Sequence, residues 1–290
     1  MIVFIILLFL IYRFYQQQSL NEGFDSTETI SYNEFDKNQI NNNTKTIPKL
    51  IFRSSPYDYD SIPIEIKHAL DFSEKQNIGY RQIYLSDENC RSFISDFYPE
   101  YLSDYDSLIP GAYKIDLIRL LLLYKYGGIY NDIGHTYLKS VSNLAEPHDE
   151  LVLIIESDKD ISYAIHNAFI ASYPRHPIIK KMIEFIINNI RNRNYGERDL
   201  DITGPMAIGK AYNQFINHGD KTPLEEGNHF VLDQFKVKML KTLVYNNSLI
   251  LDSNLNTIIV TKFDKYNEII YRGRKTLRYG ELWIKNTVFR

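Results

Sequence analysis

Apolar and polar positions divide the chain into three unequal stretches. From Ile2 to Ile11 every residue is apolar, and Tyr12, Phe14 and Tyr15 follow around Arg13. The run is shorter than the roughly 20 residues that span a bilayer comfortably. Its basic residue follows the run instead of preceding it, and no Ala-x-Ala comes after. The pattern therefore favours an uncleaved single-pass anchor over residues 1–15 rather than a signal peptide. Residues 16–46 are polar, with single apolar residues and no sustained period, which reads as a flexible stem. From Ile47 onward apolar positions recur with strand and helix periods, so residues 47–290 are expected to form the folded domain.

Within that domain strand and helix signals alternate. Lys49–Arg53, Tyr80–Leu85, Ile129–Ile133, Leu151–Ile155 and Ile165–Ser172 read as strands. Ser61–Lys75 carries a helical pattern, and Ala112–Tyr126 a stronger one, closed by Gly127-Gly128 as a helix stop. Over Pro177–Asn192, residues Ile178, Ile179, Met182, Ile183, Ile186, Ile187 and Ile190 fall on one helical stripe. Pro205–His218 is the next helix, with Pro205 at its first position. Leu243–Leu251 and Thr257–Phe263 complete the list as strand-like runs. This alternation predicts an α/β domain with an open, mostly parallel sheet flanked by helices. Ligands on such sheets bind beyond the carboxyl ends of the strands.

Composition narrows the function classes. The net charge of −3 offers no basic excess for nucleic acid. A single cysteine, Cys90, excludes an intrachain disulfide and a cysteine-rich zinc site. Orientation of the anchor stays open. Arg13 and the lack of disulfides favour a cytoplasmic domain, whereas the N-x-[ST] triplets at Asn42 and Asn246 favour the lumen.

The chemistry is concentrated in Lys114–His135. Asp116 and Arg119 lie three apart and share one face of a helix that is otherwise apolar nearly all round. Burying such a pair adds little net stability. It serves either a polar cleft or a structural tie between helix and loop. After Gly127-Gly128 a strand leads to Asp132. A carboxylate at a strand tip next to a glycine suits a hard divalent cation and a diphosphate. Transfer of a sugar from a nucleoside diphosphate needs such a group, because charge builds on the leaving diphosphate as the sugar–oxygen bond breaks.

The constellation Asp116-x-x-Arg119, Leu123, Gly127-Gly128-Ile129-Tyr130 and Asp132 resembles the DXD-motif sugar-binding region of glycosyltransferase family 32. Ile47–Ile51, Asn167–Ser172 with His176-Pro177, and Thr203-Gly204-Pro205 resemble further family segments in the right order. The resemblance implies a GT-A type fold, a nucleotide-sugar donor, a glycan or protein hydroxyl as acceptor, a divalent metal such as Mn2+, and retention of anomeric configuration. It also implies roles. Asp132 binds the donor ribose and helps hold the metal, while Asp116 and Arg119 bind the hexose and its diphosphate. Asn167 and the Thr203-Gly204-Pro205 turn line the sugar and acceptor region, and Tyr130 and Asn131 belong to the donor site. Three departures stand out. Gly134 replaces the second aspartate of the motif, which leaves His135 as the candidate replacement ligand or an ordinary loop histidine. The family's His-Gln after the opening strand is Phe52-Arg53, expected either to stack on the base and approach the phosphates or to pack at the strand end. The family's C-terminal histidine is not evident. A degenerate, non-catalytic nucleotide- or carbohydrate-binding protein is the alternative that Gly134 raises.

Overall fold

The computed structural model describes residues 29–35, 45–243, 249–262, 266–270 and 277–290. The apolar segment 1–15 lies outside them. Among the described residues no helix is long and apolar enough to cross a membrane. The strands are β1 (Ile30–Ser31), β2 (Leu50–Ser54), β3 (Arg81–Leu85), β4 (Gly128–Asn131), β5 (Thr136–Tyr137), β6 (Leu151–Ile155), β7 (Phe169–Ser172), β8 (Gly227–Val231), β9 (Phe235–Leu243), β10 (Leu249–Leu251) and β11 (Thr257–Val260). The helices are α1 (Ile64–Gln76), α2 (Asp87–Phe97), α3 (Leu102–Ser107), α4 (Gly111–Tyr126), α5 (Pro177–Arg191), α6 (Pro205–Phe215), α7 (Tyr266–Ile270) and α8 (Tyr279–Ile284).

The strands form one sheet in the order β1-β3-β2-β4-β7-β6-β9-β10-β11-β5, with β8 on β9. β1, β3, β2 and β4 pair in parallel. β7 opposes both β4 and β6, and β6 pairs in parallel with β9. Six strands of this central run therefore point one way, and β7 is the reversed strand among them. This is the open α/β arrangement expected of a GT-A type domain. Strands β2 and β6, Leu-Ile-Phe-Arg-Ser and Leu-Val-Leu-Ile-Ile, are buried at every position because helices or further strands cover both faces. Alternate residues enter separate cores. Phe52, Tyr130, Leu151 and Leu153 meet α4 and α5 on one face, whereas Ile51, Ile129, Val152 and Ile154 form the core of the other.

Helix α4 is buried at ten of its positions, Leu117, Ile118 and Leu120–Leu123 among them, so its all-round apolar pattern is that of an internal element. It turns into β4 without a linker. Gly127 and Gly128 hold φ of +65° and +93°. A Cβ on Gly127 would lie 2.6 Å from Pro174, and one on Gly128 2.8 Å from the Leu50 carbonyl. Both the left-handed backbone and the close approach demand glycine. The stripe read on α5 is buried throughout, from Ile178 to Ile190. Cys90 is a free, fully buried thiol.

Three expectations are corrected. Residues 29–35, assigned to the stem, belong to the fold. Ile30 and Ser31 pair with Ile83 and Tyr84, and Tyr32 and Phe35 are buried. Phe35 meets Phe52 and Tyr126 edge-on at 6.0 and 5.4 Å. Two aromatics in a short polar stretch have no visible period, so only their partners reveal the strand. The run expected over Leu243–Leu251 is instead β9, which starts at Phe235, and β10; residues 244–248 lie outside the described chain. Val237 and Met239 of β9 are buried and alternate with lysines, the period of two of a strand with one buried face. Strand β4 ends at Asn131, so Asp132 stands in the turn beyond the strand.

Candidate functional site

The site is built where β4 ends beside the middle of α4. Arg119 is the hub. Its Nη2 lies 3.1 Å from Asp116 Oδ1 and 3.4 Å from Asp132 Oδ1. Its Nη1 donates to the Asn167 carbonyl, and its Nε to the Ile115 carbonyl at 3.3 Å. The guanidinium also lies 4.6 Å from the centroid of the Tyr130 ring. Asp116 in turn accepts from Asn167 Nδ2 at 2.8 Å on Oδ1 and from Thr203 Oγ1 at 2.7 Å on Oδ2. The pair read from helical spacing is thus one layer of a longer chain: Thr203 and Asn167 fix Asp116, Asp116 fixes Arg119, and Arg119 reaches Asp132.

Exposure separates the roles. The side chains of Asp116 and Arg119 are 10% and 5% accessible, whereas that of Asp132 is 35%. Burial opposes the Asp116 charge most and leaves its carboxyl above the usual range, although Arg119, Thr203 and Asn167 favour the ion. Burial also opposes the Arg119 charge, but Asp132, Tyr130 and Asp116 hold the guanidinium above its ordinary value. Arg119 stays a cation, and Asp132 is the carboxylate that meets solvent.

Asp132 and Arg119 line a cleft of about 550 Å³ together with Ser54, Lys114, Tyr130 and Tyr266. The first turn of α4 and the segment around Arg278 and Tyr279 complete its walls. Lys114, Ser54 and Tyr266 were not singled out from the sequence. Lys114 stands two residues before Asp116, so its neighbourhood was legible; Tyr266 reaches the site only through tertiary packing.

Several candidate residues are elsewhere. Phe52 is buried in the core, stacked on Tyr126 at 5.9 Å, and is not placed to cover a base. Arg53 points to the opposite sheet face, since successive strand residues alternate. It is fully buried, donates to the His135 carbonyl at 3.1 Å and lies 5.3 Å from the Tyr137 ring. It does not line the cleft. Asn167 and Thr203 support Asp116 from behind, and Gly204 and Pro205 start α6. Asn131 is buried and holds His135 Nδ1 at 2.8 Å.

The residues around Asp132 bear on whether a divalent cation can be held there. Among the described residues, Asp132, paired with Arg119, and Asp87 are the carboxylates that line the cleft. A Cβ on Gly134 would lie 2.8 Å from Cε2 of Tyr266, so an aromatic ring fills the space into which a side chain there would project. His135 is 2% exposed, and its ring lies parallel to His166 at 6.0 Å. Burial, His166, Arg53 and Arg119 push its pKa well below the histidine range. It is neutral but does not line the cleft. Among the described residues no group of three or more metal-binding side chains gathers. His135 does not join Asp132 at the cleft, and a divalent cation there would rely on the cleft aspartates together with the donor phosphates and water.

Comparison with known proteins agrees with the motif. Residues 63–152 match the family described as glycosyltransferase sugar-binding region containing DXD motif. Inositol phosphoceramide mannosyltransferase 2 of Schizosaccharomyces pombe is 25% identical over 205 residues, covering 69% of this chain and 56% of the relative. An uncharacterized glycosyltransferase of Acanthamoeba polyphaga mimivirus is 28% identical, covering 59% of this chain and 67% of the relative. The chain thus spans little more than half of that mannosyltransferase. Among solved structures, PaToxG glycosyltransferase is similar with a TM-score of 0.43 and 20% identity, over 59% of this chain and 71% of that one.

Proposed function

Since residues 63–152 match the glycosyltransferase sugar-binding region containing DXD motif, we propose that the chain transfers a hexose from a nucleoside diphosphate sugar to a hydroxyl acceptor, with retention of configuration. The observation that carries this reading is the Asp116–Arg119–Asp132 relay at the wall of the cleft. Asp132 is exposed enough to accept hydrogen bonds from donor hydroxyls. Arg119 holds Asp132 in place and meets the donor from below, while Asp116 is a positioning residue held by Thr203 and Asn167. The mannosyltransferase relatives support a mannosyl donor as the first to test, and their named ceramide substrate supports a lipid-linked acceptor beside glycans and proteins. The apolar run Ile2–Ile11 supports a membrane tether.

In the transfer, the acceptor oxygen bonds to the anomeric carbon as the bond from that carbon to the β-phosphate oxygen breaks. The electron pair passes to the diphosphate, and the acceptor proton goes to the same phosphate oxygen. Attack from the leaving-group face accounts for retention. Groups placed to stabilise the developing charge do so best in a cleft that limits water. A panel of nucleotide sugars, followed for turnover, thermal stabilisation and the anomer formed, tests the reading. Binding alone raises the melting temperature by mass action. No stabilisation and no turnover with any donor would sink it.

A further inference from the structure

Gly134 stands in the turn that carries Asp132, and the ring of Tyr266 packs against it. A Cβ built on Gly134 would lie 2.8 Å from Cε2 of that ring and 3.1 Å from each of its bonded neighbours, Cδ2 and Cζ. Equal short distances to both neighbours put the contact over the ring's face, not at its edge. One face of Tyr266 is therefore covered by the turn. The other face and the ring's edge are left for the cleft, which this half-buried residue lines beside Asp132, Arg119 and Ile133. The ring is close enough to Arg119 to favour its charge. Its place is fixed from behind. Ile269 and Ile270 of α7 are buried with Ile133, and Tyr266 packs against that cluster. Tyr57 donates its hydroxyl hydrogen to the Ile269 carbonyl at 3.0 Å, which ties α7 to the segment after β2. The other cleft tyrosines are engaged differently. Tyr130 is buried with the Arg119 guanidinium over its ring, and Tyr279 rests on Tyr113.

A hexose is amphipathic. Hydroxyls surround its edge, and C–H groups make its faces apolar. A flat aromatic face beside a carboxylate offers a partner to each. An aspartate at position 134 would supply a second anion, whereas glycine lets a ring approach the backbone. We propose that Tyr266 is a specificity-determining residue of this cleft: its ring takes the apolar face of the donor's hexose while Asp132 takes the sugar's hydroxyls. The inference rests on the glycosyltransferase reading of the same cleft and adds to it the residue that reads the sugar.

The test is calorimetric binding to the full chain, with manganese chloride present, of UDP-glucose, UDP-galactose and GDP-mannose, each beside its own UDP or GDP. The ratio of the two affinities isolates what the hexose contributes. For the nucleotide sugar that the natural chain binds best, Tyr266→Ala should lower that ratio about fivefold, the scale of one aromatic contact, and leave the affinity for the bare nucleoside diphosphate within about twofold. Tyr266→Phe should keep the ratio. Tyr266→Leu fills the space beside Gly134 without a flat face and should behave like Tyr266→Ala. A ring that serves only to pack the turn would weaken both ligands together, and that result overturns the inference. An unchanged ratio in Tyr266→Ala, or a full ratio in Tyr266→Leu, overturns it too. In each of these cases the natural chain still binds a nucleotide sugar, and the glycosyltransferase reading stands. Absence of binding to the natural chain by every nucleotide sugar and nucleotide overturns the reading and the inference together.

Discussion

Thr203 donates its hydroxyl hydrogen to Asp116 across 2.7 Å, joining the start of α6 to the middle of α4. That bond, with the one from Asn167, anchors a carboxylate that would otherwise be unfavourable in a buried helix. Removing Asp116 leaves Arg119 buried with Asp132 as its remaining acid. Asp116→Ala is therefore expected to cost about 3–5 kcal/mol, the scale for breaking a buried pair. Thr203→Val should cost about 1–3 kcal/mol for the unsatisfied carboxylate oxygen. Denaturant titration measures both. Stability unchanged in Asp116→Ala would mean that the relay does not hold the helix in place.

Asp132 behaves differently because its side chain is the accessible one. Asp132→Asn preserves shape and should leave the melting temperature nearly unaltered, while transfer falls at least about 100-fold, the scale for losing one key electrostatic contact. Steady-state rates with the active donor provide the measurement. Full activity in that variant would remove Asp132 from the site.

The N-terminal boundary can be set by truncation. A chain beginning at Thr29 retains β1 and the aromatic contacts of Tyr32 and Phe35. A chain beginning at Ile47 loses them and exposes Phe52, Phe93 and Tyr126, which those rings touch. Losing a buried phenylalanine alone costs about 3–5 kcal/mol, so the shorter chain should unfold at clearly lower denaturant or aggregate. Equal stability of the two chains would return residues 29–35 to the stem.

His176 makes stability depend on acid. Its Nδ1 accepts from the Ile178 amide at 3.1 Å, capping α5, which requires an unprotonated ring nitrogen. Burial, with Lys45 nearby, lowers its pKa from 6.5 to about 3. The unfolded chain therefore binds the proton first. The stabilisation is fully present above pH 6.5 and is lost progressively as pH falls toward 3. His135, neutral through burial, acts in the same direction. His176→Asn keeps a capping side chain that does not titrate, so stability measured against pH should fall less steeply below 6.5 than in the natural protein. An identical slope would show that His176 is not the group responsible.

What the sequence by itself determined is local. The helix over 112–126, the two glycines and a strand after them follow from backbone sterics and from one run of apolar residues, whereas the strand's end before Asp132 was set by the fold. The α5 stripe follows from helical period alone. Spacing also placed Asp116 and Arg119 on one helix face, and the motif carried the family. Tertiary structure decided everything that depends on a partner distant in the chain. Alternation put Phe52 and Arg53 on opposite faces, but only the sheet order decided that Phe52 meets Tyr126 in the core and Arg53 the far side, away from the cleft. Thr203 and Asn167 were read as cleft residues, and packing made them supports of Asp116. Gly134 looked like a lost ligand in the sequence. In the fold it is the position against which the ring of Tyr266, 132 residues later, packs, so that a side chain there would have to displace the ring. Periodicity records which face a residue turns, whereas the identity of what it meets there is set by chain segments that the local pattern does not contain.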